Sequence, residues 1–179
     1  MTHIEIRQAT AGDLDAAVEL QHEAIRWLGS KGLEQWQPSA RGSRHTPDLL
    51  RRNIGKSIER GECYMAFDGK EPVGTITIDT FADPEFWTTD DKPEDALYVH
   101  RMVVRRTHAG TGIGEQMLEF ALALAFERGK HWLRLDAWRT NEALHAYYRK
   151  AGFQHVRTVE YPHRGSGALL QRATSQNCR

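Results

Sequence analysis

The sequence predicts a single α/β (α+β) domain: a mixed, largely antiparallel central sheet of six to seven strands, flanked by about four helices. Short alternating strands recur along the chain between segments of helical period. A glycine cluster joins a strand to a long apolar helix. The composition, 40% hydrophobic and 27% charged over 179 residues, is that of an ordinary globular domain. The domain is expected over residues 1–171, followed by a disordered tail, 172–179, that carries no pattern.

Ile4 to Gln8 alternate as a strand, and Ala11-Gly12-Asp13 opens a helix whose apolar stripe runs through Leu14, Ala17, Val18, Ile25 and Leu28. From Gly29 to Arg44 the period fails, and Gly32, Pro38 and Gly42 punctuate a loop carrying Trp36. Thr46-Pro47 is a cap and first-turn pair for a second helix ending near Gly61. Glu62 to Phe67 and Pro72 to Asp79 flank Asp68-Gly69 and read as a hairpin. Phe81 to Asp95 is a polar, aromatic loop or hairpin tip. Ala96 to Val104 is a strand, followed by the glycine cluster and a helix to Gly129. Trp132 to Trp138 is a strand, Asn141 to Lys150 a helix, and Phe153 to Val159 and Ser166 to Gln171 are closing strands.

Charge and cysteine content narrow the function. Formal net charge is zero, which gives no general attraction to nucleic acid or anionic membrane. Cys63 and Cys178 do not make a disulfide framework, so a reducing, cytoplasmic setting suits the chain. No apolar run approaches the roughly 20 residues that span a bilayer, and Met1 to Ile6 does not read as a secretion signal. The histidines His45, His145, His155 and His163 lack metal-ligand spacing, and no metal is expected.

Strand, glycine cluster and helix in succession form an anion cradle. Glycine admits the anion to the backbone, and the first helical N–H groups and the helix dipole face it. Gly110, Gly112 and Gly114 stand alternately, so neither a P-loop nor a dinucleotide fingerprint fits their spacing. In the helix, Ile113, Met117, Ala121 and Ala125 make one apolar stripe with Leu118, Leu122 and Phe126 beside it, a face suited to packing on a sheet. The segment Met102-Val103-Val104-Arg105-Arg106-Thr107-His108-Ala109-Gly110-Thr111-Gly112-Ile113-Gly114 resembles the signature of the GNAT superfamily of acetyl-CoA-dependent N-acetyltransferases. It departs at Ala109, where the family usually has Arg or Gln.

The resemblance continues through Asn141-Glu142-Ala143-Leu144-His145-Ala146-Tyr147-Tyr148-Arg149-Lys150-Ala151-Gly152-Phe153, similar to the family's Asn…Phe-Tyr-x-Lys-x-Gly-Phe element. Together the two motifs cover roughly Ala96 to Val159. The resemblance implies acetyl-CoA as cosubstrate. Its pyrophosphate would lie on Gly110, Thr111, Gly112, Ile113, Gly114 and Glu115, and its pantetheine arm and acetyl carbonyl beside a bulged strand at Met102, Val103 and Val104. Asn141 would bind the pantetheine or phosphate region, and Tyr148 would protonate the departing thiolate. From the residues alone, Asn141 is equally a helix cap and Tyr148 equally a core aromatic, with Tyr147 the competing phenol.

Transfer to an amine also needs a base, because free alkylamines are mostly protonated at neutral pH. His100 is the first candidate, since imidazole titrates near neutrality, and Asp136 on the next strand is the rival. Tyr98 would complete a water relay or contact the acceptor. The acceptor wall is expected from the Trp27 to Arg44 loop and the Phe81 to Asp95 segment. There Trp27, Trp36, Phe86, Trp87, Asp90 and Asp91 would suit a cationic primary amine of a small molecule or peptide. The same aromatics would serve equally as core plugs or a dimer contact. A catalytically silent acyl-CoA-binding module and a longer-chain acyltransferase are the alternatives, and the chain is expected as monomer or homodimer.

Overall fold

The computed structural model describes residues 4–38 and 46–174. The expected loop positions 39–45, with Gly42 and Arg44, lie outside the described residues, as do residues 1–3 and the chain end with Cys178. Seven strands form one sheet in the order β1-β2-β3-β4-β5-β7-β6. They are β1 (Ile4–Gln8), β2 (Cys63–Asp68), β3 (Glu71–Asp79), β4 (Ala96–Val104), β5 (Trp132–Trp138), β6 (Gln154–Thr158) and β7 (Ser166–Ala173). Four α-helices accompany them among the described residues: α1 (Leu14–Ser30), α2 (Pro47–Glu59), α3 (Ile113–Glu127) and α4 (Glu142–Lys150). The β1–β2, β2–β3, β5–β7 and β6–β7 pairs are antiparallel and β4–β5 is parallel. The residues divide into two compact units, one comprising those up to Ile78 with His100–Met117, the other Asp79–Val99 with those from Leu118 onward. Strand β4 and helix α3 contribute to both.

In the first unit, Asp13 closes the 3-10 turn Ala11–Asp13 that leads into α1. Its carboxylate accepts from Thr10 N and Thr10 Oγ1 at 2.7 and 2.9 Å, closing a capping box, and also takes both arms of the Arg7 guanidinium. These bonds, that of Arg7 foremost, lower the Asp13 pKa to about 2. The apolar faces of α1 and α2 then meet β2 around Ala17, Leu20, Leu50, Ile54 and Met65. Gly74 on β3 lies under Met117 of α3. A Cβ there would lie 2.7 Å from Met117 Sδ and 3.2 Å from the carbonyl oxygen of Val103, so the missing side chain lets the helix seat on the sheet.

In the second unit, the Phe81 to Asp95 segment is a pinned loop with two 3-10 turns, Thr89–Asp91 and Pro93–Asp95, and no hairpin tip. Phe86 and Trp87 are core residues packed with Ala96, Tyr98 and Leu169. Arginines from elsewhere lash the loop down. Arg157 on β6 donates to both oxygens of Asp91, at 2.8 and 2.6 Å, and to the Phe86 carbonyl at 2.6 Å. Arg164 grips Asp83 and Glu85 at 2.8 and 2.6 Å.

Two expectations need correction. Phe126 is largely exposed, so the buried face of α3 stops short of it. The tail does not begin at Arg172: β7 runs to Ala173, Arg172 pairs with Glu119, and Thr174 N donates to the His131 carbonyl at 3.0 Å.

The Arg157 hydrogen bonds are the largest cause holding the Asp91 pKa well below its ordinary value. A depressed carboxylate contributes stability above its unfolded pKa of about 4, and that contribution is lost as pH falls further. Asp91→Asn is therefore expected to cost about 1–3 kcal/mol at pH 7, with the difference from wild type shrinking below about pH 4. Urea unfolding at several pH values measures it.

Candidate functional site

Strand β4 changes character midway. Ala96 to Val99 are buried, whereas His100 to Met102 are half-buried. The parallel ladder with β5 ends at Tyr98↔Arg134, although β4 runs on to Val104 and β5 to Trp138. Arg101 has φ 49°, a left-handed conformation inside a strand. For a non-glycine residue this costs about 1–2 kcal/mol. Three hydrogen bonds hold it there: Gln21 Nε2 donates to the Arg101 carbonyl at 2.6 Å, and Arg101 Nη2 donates to Ser57 Oγ at 2.9 Å and Thr77 Oγ1 at 3.3 Å.

Past Val104 the chain makes a 3-10 turn, Arg106–His108, and then the glycine arch. Gly110 and Gly112 have φ 76° and 83°, and no atom lies within 4 Å of where a Cβ would stand on either. Thr111 Oγ1 donates to the His108 carbonyl at 2.6 Å and ties the arch to itself. Gln116 N bonds the Gly112 carbonyl at 3.1 Å. The N–H groups of Ile113, Gly114 and Glu115 lie before it and find no acceptor inside the helix. Such an arch offers oriented N–H donors and the positive end of the α3 dipole to an anion.

The basic side chains around the arch are engaged. Arg105 donates to the Pro72 carbonyl at 3.0 Å, the Arg106 guanidinium lies 3.8 Å over the Trp27 ring, and His108 Nε2 stands 3.7 Å from Asp68. Ala109 is exposed and adds no charge. The oriented N–H groups and helix dipole of the arch therefore act beside the charges that Arg105 and Arg106 retain.

In the second unit, Asn141 is the N-cap of α4, its Oδ1 accepting from Leu144 N at 3.1 Å. Tyr148 is buried, with its ring edge-on to Tyr147 at 5.4 Å and to Phe153 at 5.6 Å. Burial, and then the nearby Tyr147 and Asp136, raise its phenol pKa far above 10. Gly152, φ 87°, ends the helix in a left-handed turn.

Among the described residues, the expected site residues therefore fall into two groups. His100, Met102 to Val104 and Gly110 to Glu115 lie in the first unit, and Asp136, Asn141 and Tyr148 in the second. Trp36 has φ 61° and packs partly against the α1–α2 core.

Trp87, Tyr98 and Asp91 do not form an acceptor wall. Trp87 is a core ring under the Arg134 guanidinium, 4.8 Å away. Tyr98 is almost fully buried; its hydroxyl donates to the Pro93 carbonyl at 3.1 Å and accepts from Arg134 Nη1 at 3.3 Å. Asp91 is consumed by Arg157.

The sequence reading missed Arg134, Arg101 and Gln21. Arg134 is a buried cation that also donates to the Asp91 carbonyl at 2.8 Å. A charge in the middle of an apolar strand was its signal, and a polar residue in the apolar stripe of α1 was that of Gln21.

The family model described as "Acetyltransferase (GNAT) family" matches residues 22–153. The chain belongs to the GNAT acetyltransferase family. It is 30% identical over 150 residues to the uncharacterized N-acetyltransferase YesJ of Bacillus subtilis, covering 79% of this chain and 77% of that protein. It is 31% identical over 97 residues to a streptothricin acetyltransferase of Escherichia coli, covering 54% of this chain and 49% of that one. A GNAT-family acetyltransferase structure from Listeria monocytogenes superposes with a TM-score of 0.75 at 26% identity, covering 95% of this chain and 94% of that one. An N-acetyltransferase from Thermoplasma acidophilum, solved in complex with coenzyme A, shares the fold with a TM-score of 0.68 at 20% identity, covering 96% and 99%. The GNAT fold expected from the sequence is thus observed.

Tyr98→Phe would remove two hydrogen bonds from a buried network and leave Arg134 short of a partner. It is expected to lower stability by about 1–3 kcal/mol with no change in acetyl-transfer kcat. Paired thermal-melt and kinetic measurements on this variant check both halves.

Proposed function

We propose that the chain transfers the acetyl group of acetyl-CoA to a primary amine by direct attack on the thioester. The observation that carries the reading is the arch between β4 and α3, where two left-handed glycines with open Cβ directions precede a helix start whose first N–H groups lack intrahelical acceptors. A pyrophosphate fits that chemistry, because it accepts several N–H bonds and needs backbone-close approach. The strand backbone of Met102 to Val104, beyond the end of the β5 ladder, suits the pantetheine amides and the acetyl carbonyl.

Acetyl-CoA supplies an activated acyl carbon. The amine nitrogen forms a bond to that carbon, the carbon–sulfur bond breaks, and the electron pair leaves on sulfur. Tyr148 gives its phenolic proton to the thiolate. Its raised pKa keeps the phenol protonated at neutral pH, the state an acid must hold. Asp136, whose charge adds to that shift after burial and Tyr147, is the rival base on β5. His100, half-buried on β4 just before the left-handed residue, is the base that takes the proton from the attacking amine.

Asn141 acts through its backbone position and its cap more than through a free amide, since its oxygen is committed to Leu144 N. Trp87, Tyr98 and Asp91 are committed elsewhere, so the expected acceptor wall is kept only for Trp27 and Trp36 on the first-unit side. The streptothricin acetyltransferase relative makes streptothricin a sensible part of an acceptor panel. The exposed methyl of Ala109 is the observation that favours a second reading, a module that binds acyl-CoA without turnover; measured acetyl transfer to any amine would exclude it.

Tyr148→Phe is expected to reduce kcat roughly tenfold or more with little change in acetyl-CoA affinity. Because the phenol stays protonated well past neutrality, the ratio to wild type should hold constant between about pH 7 and 9. Steady-state kinetics across that range decide it, and an unchanged kcat removes Tyr148 as the acid. At Gly112, asparagine tolerates the left-handed backbone while aspartate adds a negative charge of the same size. Gly112→Asp should abolish acetyl-CoA binding and Gly112→Asn should weaken it much less, as read by calorimetry. Equal losses would mean that backbone conformation, and not the charge of a bound anion, controls the site.

A further inference from the structure

We infer that Gln21 is a positioning residue for acetyl transfer, holding the left-handed turn of β4 at Arg101 and thereby setting the backbone that follows it. The inference rests on the proposed acetyl transfer. Gln21 lies on α1, is 1% exposed, and donates from Nε2 to the Arg101 carbonyl at 2.6 Å across 80 residues of sequence. Its other amide atom, Oε1, is buried with no hydrogen-bond partner.

A half-satisfied amide in an apolar helix face gains little: methionine or leucine would remove the orphan Oε1 but give up the donor to the part-buried Arg101 carbonyl, two effects of similar size and opposite sign. Net stability therefore does not account for glutamine at this position, and where its one hydrogen bond lands does. That bond lands on the residue with φ 49°, in the middle of a strand, where the extended alternation breaks. His100 precedes this residue and Met102 to Val104 follow it. A left-handed residue re-aims the side chains and backbone groups on either side of it, and such a conformation persists only where surrounding contacts over-determine it. The guanidinium bonds of Arg101 to Ser57 and Thr77 fix its side chain. Gln21 is the contact from α1 that fixes its peptide.

The test is Gln21→Met, which keeps the length and removes both the donor and the orphan acceptor. In ligand-free protein, hydrogen exchange of the Met102 to Val104 amides should rise by about tenfold or more, while the melting temperature stays equal or increases. Acetyl-CoA Kd should rise by about tenfold with a fall in kcat, whereas a loss of packing would lower the melting temperature as well. Gln21→Asn, which keeps the amide and withdraws it by one methylene, should show the same pattern and serves if the methionine variant does not fold. Unchanged exchange in a folded variant overturns the inference, as does lost binding that merely tracks a lowered melting temperature. The exchange measurement needs no ligand. If wild type fails to bind acetyl-CoA, the proposed function falls while the exchange result still decides whether Gln21 holds the turn.

Discussion

Helix α3 lies close on β3 because Gly74 has no side chain: Met117, at the start of its second turn, and the Val103 carbonyl occupy the space that a Cβ would need. With that turn seated, the path from Val104 to Ile113 is short and must rise and fall within one arch. Gly110 and Gly112 supply the left-handed conformations the arch requires, and Thr111 ties it to His108. The helix dipole and the leading N–H groups then point from a support that cannot drift. Steric closeness at one glycine thus fixes an electrostatic feature several residues away.

Electrostatics elsewhere in the chain serve mainly to hold loops. Arg134, Arg157 and Arg164 reach into the 81–95 segment and satisfy its carbonyls and carboxylates. One buried and two half-buried guanidinium groups, with several acceptors each, pin that loop. The two groups singled out for chemistry differ from these. Tyr148 is a buried phenol whose pKa is raised by burial and then by neighbouring Tyr147 and Asp136. Arg101 keeps a strained backbone through bonds from two helices and a strand.

Local pattern made much of this legible. The bounds of β1, β4 and β5 follow from alternation and breakers, and Thr46-Pro47 marks the start of α2. The glycine arch was readable because only glycine takes left-handed φ without cost. The roles of Trp87, Tyr98 and Asp91 were not readable, since an aromatic and acidic stretch looks alike whether it faces a ligand or a core. Their partners, Arg134 and Arg157, stand about 35–70 residues away, and no local rule connects them. The exposed Phe126 was misplaced because helical period gives the direction of an apolar stripe but not where its cover ends.

The central claim is that the arch holds the pyrophosphate of acetyl-CoA, and calorimetric titration of the wild-type chain with acetyl-CoA beside acetyl-pantetheine tests it most directly. The account predicts saturable binding of acetyl-CoA at roughly micromolar levels and a loss of at least about a hundredfold when the pyrophosphate and nucleotide are absent. Equal binding of the two ligands, or no binding of acetyl-CoA, would contradict it.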